Sequence, residues 1–107
     1  MDLELTTTAV GTHLVVALSG IADLSTAPLL HDQLRRTCTD HPGETIVLDL
    51  DGLVAIDDAA LGLLLGAAAR ARAAGGDLEL VCTNGRIRSR LSSTRLDRCV
   101  DVRDAIA

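Results

Sequence analysis

Thr45-Ile46-Val47-Leu48-Asp49-Leu50, followed by Asp51 to Asp58 and then Ala59-Ala60-Leu61-Gly62-Leu63-Leu64-Leu65-Gly66-Ala67-Ala68-Ala69-Arg70, decides the fold. The first stretch is β-branched and nearly continuous in hydrophobicity, which predicts a central strand covered on both faces. The last is rich in Ala and Leu at helical spacing, with Leu61, Leu64, Leu65 and Ala68 on one face. Between them, residues 51–58 are expected to form a loop. Asp58 is the expected N-cap of the helix, and Asp57 adds favourable charge at the same end. A buried strand running into a loop and a helix is the signature of a parallel α/β crossover.

Outward from this unit the same alternation continues. Leu3-Glu4-Leu5-Thr6 alternates with period two, and His13 to Leu18 forms a second, more buried strand. Gly11-Thr12 lies between them as a hairpin turn, and Gly20 is expected to end the second strand. Ser25 or Thr26 can cap a helix with Pro28 in its first turn. Leu30, Leu34 and Cys38 then fall on one face of that helix, and His41-Pro42-Gly43 breaks it. After Gly75-Gly76 come a strand at residues 77–82, a basic helix opened by Asn84-Gly85 with Ile87 and Leu91 inward, and a short edge strand at 99–102 before a tail. The expected fold class is α/β: a small mixed sheet with an N-terminal hairpin and packed helices, in the order β-β-α-β-α-β-α-β. Residues 1–107 are expected to form a single domain.

Composition narrows the function. The 107 residues carry 15 acidic and 10 basic side chains, for a net charge of −5, and no Phe, Tyr or Trp. A chain without aromatic stacking platforms or a basic excess makes a poor nucleic-acid binder. Every basic residue is Arg, so no mechanism can use a lysine nucleophile. No apolar run approaches the roughly 20 residues of a membrane span. The start, Met1-Asp2-Leu3-Glu4, is acidic where a signal peptide is basic, so a cytoplasmic location is expected. Cys38, Cys82 and Cys99 form no CxxC pair and read as buried thiols, and His13, His31 and His41 are scattered. Neither a metal site nor a cofactor is expected.

Chemistry concentrates in residues 49–58, where four carboxylates follow the central strand. The simplest reading is strand-end and capping residues. A second is enzymatic: Asp49-Leu50-Asp51-Gly52 resembles the nucleophile motif of haloacid-dehalogenase-type phosphatases. That family's Thr after the motif is replaced by Leu53, and its Lys has no counterpart here.

A third resemblance spans nearly the whole chain. Ile46-Val47-Leu48-Asp49-Leu50 through Ile56-Asp57-Asp58-Ala59-Ala60-Leu61-Gly62-Leu63-Leu64 resembles the signature of STAS domains, the anti-sigma factor antagonists. Gly20-Ile21-Ala22-Asp23-Leu24-Ser25-Thr26-Ala27-Pro28-Leu29 resembles their upstream segment. The resemblance implies a non-enzymatic domain that binds an anti-sigma factor of the serine-kinase type, or another signalling protein, as a monomer or weak dimer. In the family a Ser after the motif Asp is phosphorylated to break that contact. Here the equivalent position is Asp58, which fixes a negative charge and makes the chain either a mimic of the phosphorylated state or an unregulated antagonist. Ala60 replaces the family's Gly. The implied contact surface is Asp23, Ser25, Thr26, Asp57, Asp58, Ala59, Ala60, Leu61 and, if it points outward, Leu63. A scaffold or transport-system subunit is the alternative role.

Overall fold

The computed structural model describes residues 2–104. Its elements are β1 (Leu3–Val10), β2 (His13–Ala22), α1 (Ala27–Asp40), β3 (Thr45–Ile56), α2 (Asp58–Ala73), β4 (Asp77–Val81), α3 (Gly85–Ser93), a 3-10 turn (Leu96–Arg98) and β5 (Asp101–Arg103). The strands lie side by side in chain order, with β1 antiparallel to β2 and every later pair parallel. This is the expected mixed α/β sheet with its opening hairpin. The tail beyond residue 104 lies outside the described residues.

Because each parallel strand is added on the same side of its predecessor, crossovers of one hand lay all three helices on one face. Leu30, Leu34 and Cys38 of α1, six residues of α2, and Ile87 and Leu91 of α3 share a core with Val16, Leu18, Ile46, Leu48 and Leu50. The strand β3 is therefore not covered by helices on both sides. Val47, on the other face, is buried only in a small cluster with Val15 and Val81. The near-continuous apolar run reflects lateral packing by neighbouring strands there.

Two further expectations are corrected. Gly20 does not end β2, which runs on to Ala22, and residues 51–56 are strand rather than loop. The two extensions pair with each other, Gly20 beside Leu53 and Ala22 beside Ile56, through register shifts at Ala17/Ser19 and Gly20/Ile21. Glycine is needed at both irregularities. A Cβ at Gly20, where φ is +99°, would stand 1.9 Å from the Asp2 carbonyl oxygen, and one at Gly52 would stand 2.7 Å from that of Leu18. These residues act as close-approach points within the sheet.

On α2 the buried face is Ala60, Leu61, Leu64, Ala67, Ala68 and Ala71, whereas Leu65 points outward. Small alanines let the helix lie close on the sheet, and this turns Leu65 away from the face it was expected to share. Cys38 and Cys82 are buried as expected, and burial raises both thiol pKa values, so they stay protonated. Cys99 is exposed, because it follows the 3-10 turn instead of lying in the edge strand.

Gly20→Ala should lower unfolding free energy by at least about 2 kcal/mol, since the added carbon collides with backbone where φ is positive. Gly66→Ala, whose new carbon meets nothing within 4 Å, should instead stabilise α2 by up to about 1 kcal/mol. Urea unfolding of the two variants checks both signs.

Candidate functional site

The extended ends of β2 and β3 deliver two chain reversals to the same place. One is the turn from Asp23 to Thr26 that enters α1; the other is the Ile56–Asp58 junction that enters α2. Asp57 joins them. Its Oδ1 accepts from the Ala60 amide at 3.0 Å, and its Oδ2 accepts from the Leu24 amide at 2.9 Å. Its own amide donates to the Ala22 carbonyl at 3.0 Å. Asp57, not Asp58, is therefore the N-cap of α2. The strand reaches Ile56, and Asp57 keeps its extended backbone (φ −104°, ψ 178°) while the chain turns helical after it, which is the geometry that lets an N-cap carboxylate fold over the helix end.

The α1 entrance is organised by Asp23 rather than by a hydroxyl cap. Asp23 Oδ1 accepts from the Ser25 hydroxyl at 2.6 Å and from the Ser25 and Thr26 amides at 3.0 and 3.1 Å. Thr26 occupies the N-cap position, yet its hydroxyl donates to the Ile21 carbonyl at 2.9 Å and makes no cap bond. The Ser25 hydroxyl, foremost, with the Thr26 amide behind it, holds the Asp23 carboxyl below the ordinary aspartate range.

Displaced from the cap, Asp58 becomes the first residue of α2, and 82% of its side chain is exposed. Its Oδ1 accepts from Arg90 Nη2 of α3 at 2.6 Å. Ala59 is exposed beside it. Ala60 and Leu61, expected at the contact surface, are buried in the core because helical geometry turns them toward the sheet, and only Leu61 keeps an edge on the cleft beside Asp58 and Leu65. Leu63 is partly buried and packs on the core, so it does not point outward. The apolar group that does stand at this surface is Leu24, 74% exposed, its amide tied to Asp57.

The sequence reading thus brought together Asp23, Ser25, Thr26, Asp57 and Asp58, and missed Leu24 and Arg90. An apolar residue inside a polar turn was a usable signal for Leu24. Nothing local marks Arg90, 32 residues from its partner. The other two carboxylates hold a loop in place. Asp49 Oδ1 accepts from the Asp51 amide at 3.0 Å, and Asp51 Oδ1 accepts from the Thr83 and Asn84 amides at 2.6 and 3.3 Å. That arrangement supports α3, whose N-cap is Asn84.

Asp57→Ala should cost about 2 kcal/mol, from a lost cap and a lost inter-turn hydrogen bond. Asp58→Ala should stay within about 0.5 kcal/mol, because its ion pair is open to solvent. Denaturant melts of both distinguish the roles. For Asp23, a lowered folded-state pKa means its stabilisation is present above the unfolded aspartate's titration range and is lost as pH falls through the folded-state value. Ser25→Ala should raise the Asp23 carboxyl midpoint in an NMR titration; an unmoved midpoint would contradict the assignment.

Several solved structures share this architecture. An anti-sigma factor antagonist from Mycobacterium paratuberculosis superposes with a TM-score of 0.89 at 21% identity, covering 98% of this chain and 88% of that one. The anti-sigma factor antagonist SpoIIAA of Bacillus, in its unphosphorylated form, gives 0.72 at 18% identity, covering 96% and 90%. Part of the murine Solute Carrier 26 family member A9 anion transporter gives 0.76 at 12% identity, covering 92% of this chain and 17% of that one. At these identities the likeness concerns the fold alone. No curated protein matches the chain in sequence. The family model described as "Mlab, STAS domain" matches residues 5–103, nearly the whole length, and the chain belongs to that STAS family.

Proposed function

We propose that residues 1–107 form one STAS domain that acts by protein–protein recognition, not catalysis. Its partner is an anti-sigma factor of the serine-kinase type, which it binds in the cytoplasm and so parts from its sigma factor. The observation that carries this reading is Asp58, exposed at the first turn of α2 beside the Asp23–Thr26 turn. That is the position where the antagonists it resembles keep a phosphorylatable Ser. SpoIIAA has been solved in both unphosphorylated and phosphorylated forms.

A carboxylate cannot accept phosphate from a serine kinase. It also carries less charge than the roughly −1.5 to −2 of a phosphoserine. Arg90 sits on it at 2.6 Å, so much of that charge is answered within the chain. Both facts favour an unregulated antagonist whose partner has adapted to Asp58 over a permanent mimic of the phosphorylated state. A second reading, a scaffold or transport-system subunit, draws support from the fold shared with part of the murine anion transporter.

A pull-down from the native host separates them. The antagonist reading expects a kinase-fold anti-sigma factor to co-purify, and capture of transporter or scaffold subunits instead would favour the second. Incubated with that kinase and ATP, residues 57–62 should stay unmodified by mass spectrometry, whereas Asp58→Ser should accept phosphate. Phosphate on the unaltered segment would overturn the proposal.

A further inference from the structure

The two edges of the sheet are finished differently. At one, β5 is three residues long and carries Asp101 and Arg103, so it offers little backbone and flanks it with charge. At the other, β1 runs for eight residues and pairs with β2 from Leu3 to Val10 without a register shift. Its other side has no neighbouring strand among the described residues. Native sheets commonly blunt such an edge with a proline, a bulge, lysines or a covering element. Glu4 is the single charged side chain of β1, and Thr6, Thr7, Thr8, Ala9 and Val10 are all exposed. Leu3 and Leu5 face the helices, and alternation puts Thr7 and Ala9 on that same side. Their exposure shows that α1 does not overhang this half of the strand.

The backbone groups left on this edge follow from the ladder. The Ile21 amide donates to the Asp2 carbonyl at 3.3 Å, which sets the phase of the β1–β2 pairing. In an antiparallel pair only alternate residues turn their N–H and C=O toward the neighbouring strand. Glu4, Thr6, Thr8 and Val10 therefore bond to β2, whereas Leu3, Leu5, Thr7 and Ala9 hold both groups outward.

We infer that this edge receives the same edge of a second copy of the chain, antiparallel about a two-fold axis at Thr6, so that two sheets become one. The contact goes beyond the partner reading at Asp58, which concerns α2. In this register Leu3 stands opposite the second copy's Ala9 and Leu5 opposite its Thr7, so every outward group of β1 finds a backbone partner. With the axis at Thr7 instead, Leu3 would face the turn residue Gly11. The side chains agree with the same choice. Thr6 meets Thr6 across the axis and Glu4 meets Thr8, so no like charges are opposed. Two copies of a chain of net charge −5 repel each other, and β1 brings them together along a strand with a single charge on each side. The contact is two-fold and closed. With the short, charged β5 at each far end, assembly stops at the dimer.

Sedimentation equilibrium of the full chain tests this, with amide hydrogen exchange by NMR to locate the contact. The unaltered chain should pass from monomer to dimer as its concentration rises to about 1 mM. The amides of Leu5, Thr7 and Ala9 should exchange more slowly as it does, while those of Thr6 and Thr8 are slow throughout. Thr6→Lys, which opposes two cations across the axis, should raise the dissociation constant about tenfold or more. Thr7→Pro, which deletes an outward N–H on an edge strand, should do the same and keep the monomer fold. If that variant fails to fold, Thr6→Lys decides alone. A chain that stays monomeric to about 1 mM, assemblies that grow past the dimer, a dimer indifferent to Thr6→Lys, or slowed exchange at another surface would each overturn the proposal. Failure to capture an anti-sigma partner, with dimerisation intact, removes the Asp58 reading and leaves this one standing.

Discussion

The carboxylate of Asp57 is the point on which the site depends. One oxygen closes the first turn of α2 and the other holds the amide of Leu24, so a single side chain fastens two reversals that are 33 residues apart in the chain. That double duty assigns the neighbouring residue its place. With the cap taken, Asp58 begins the helix facing solvent, and its charge sits where the helix dipole favours an anion. The sheet supplies the remaining constraint. Crossovers of one hand stack the helices on one face, and the lengthened β2 and β3 carry both turns out beyond the sheet body, at the carboxyl ends of parallel strands where open α/β folds place their recognition surfaces.

Electrostatics distinguishes this surface from one that is switched by phosphate. A phosphoryl group can be added and removed, and it brings up to two charges that must be met by whatever docks against it. Asp58 brings one, permanently, and already has a guanidinium against it. Since that pair is largely exposed, it contributes little to stability, but it changes what an approaching protein meets: a fixed dipole instead of an isolated anion.

Much of the fold was legible because local chemistry and tertiary context agree. Leu30, Leu34 and Cys38 repeat at helical spacing and are buried on α1, Asn84 caps α3, and Gly11-Thr12 turns the hairpin. The failures share a cause in long-range packing. Gly20 reads as a terminator in isolation, but its lack of a side chain admits the backbone of Asp2. Asp57 and Asp58 are equally good caps by residue type, and only the reach of β3 decides between them. Leu65 fits an apolar stripe by spacing, whereas the alanine face of α2 turns it outward. Of the site, the two turns and their acids were readable from motif resemblance. Arg90 was not, because pairing across 32 residues leaves no periodic trace.

The most direct measurement is the dissociation constant of the captured anti-sigma partner for the unaltered chain and for Asp58→Asn, determined by titration calorimetry with both proteins verified as folded. Asparagine keeps the shape and removes the charge. If Asp58 is the carboxylate to which the partner has adapted, the substitution weakens binding about tenfold or more. An unchanged or tighter constant would contradict that account.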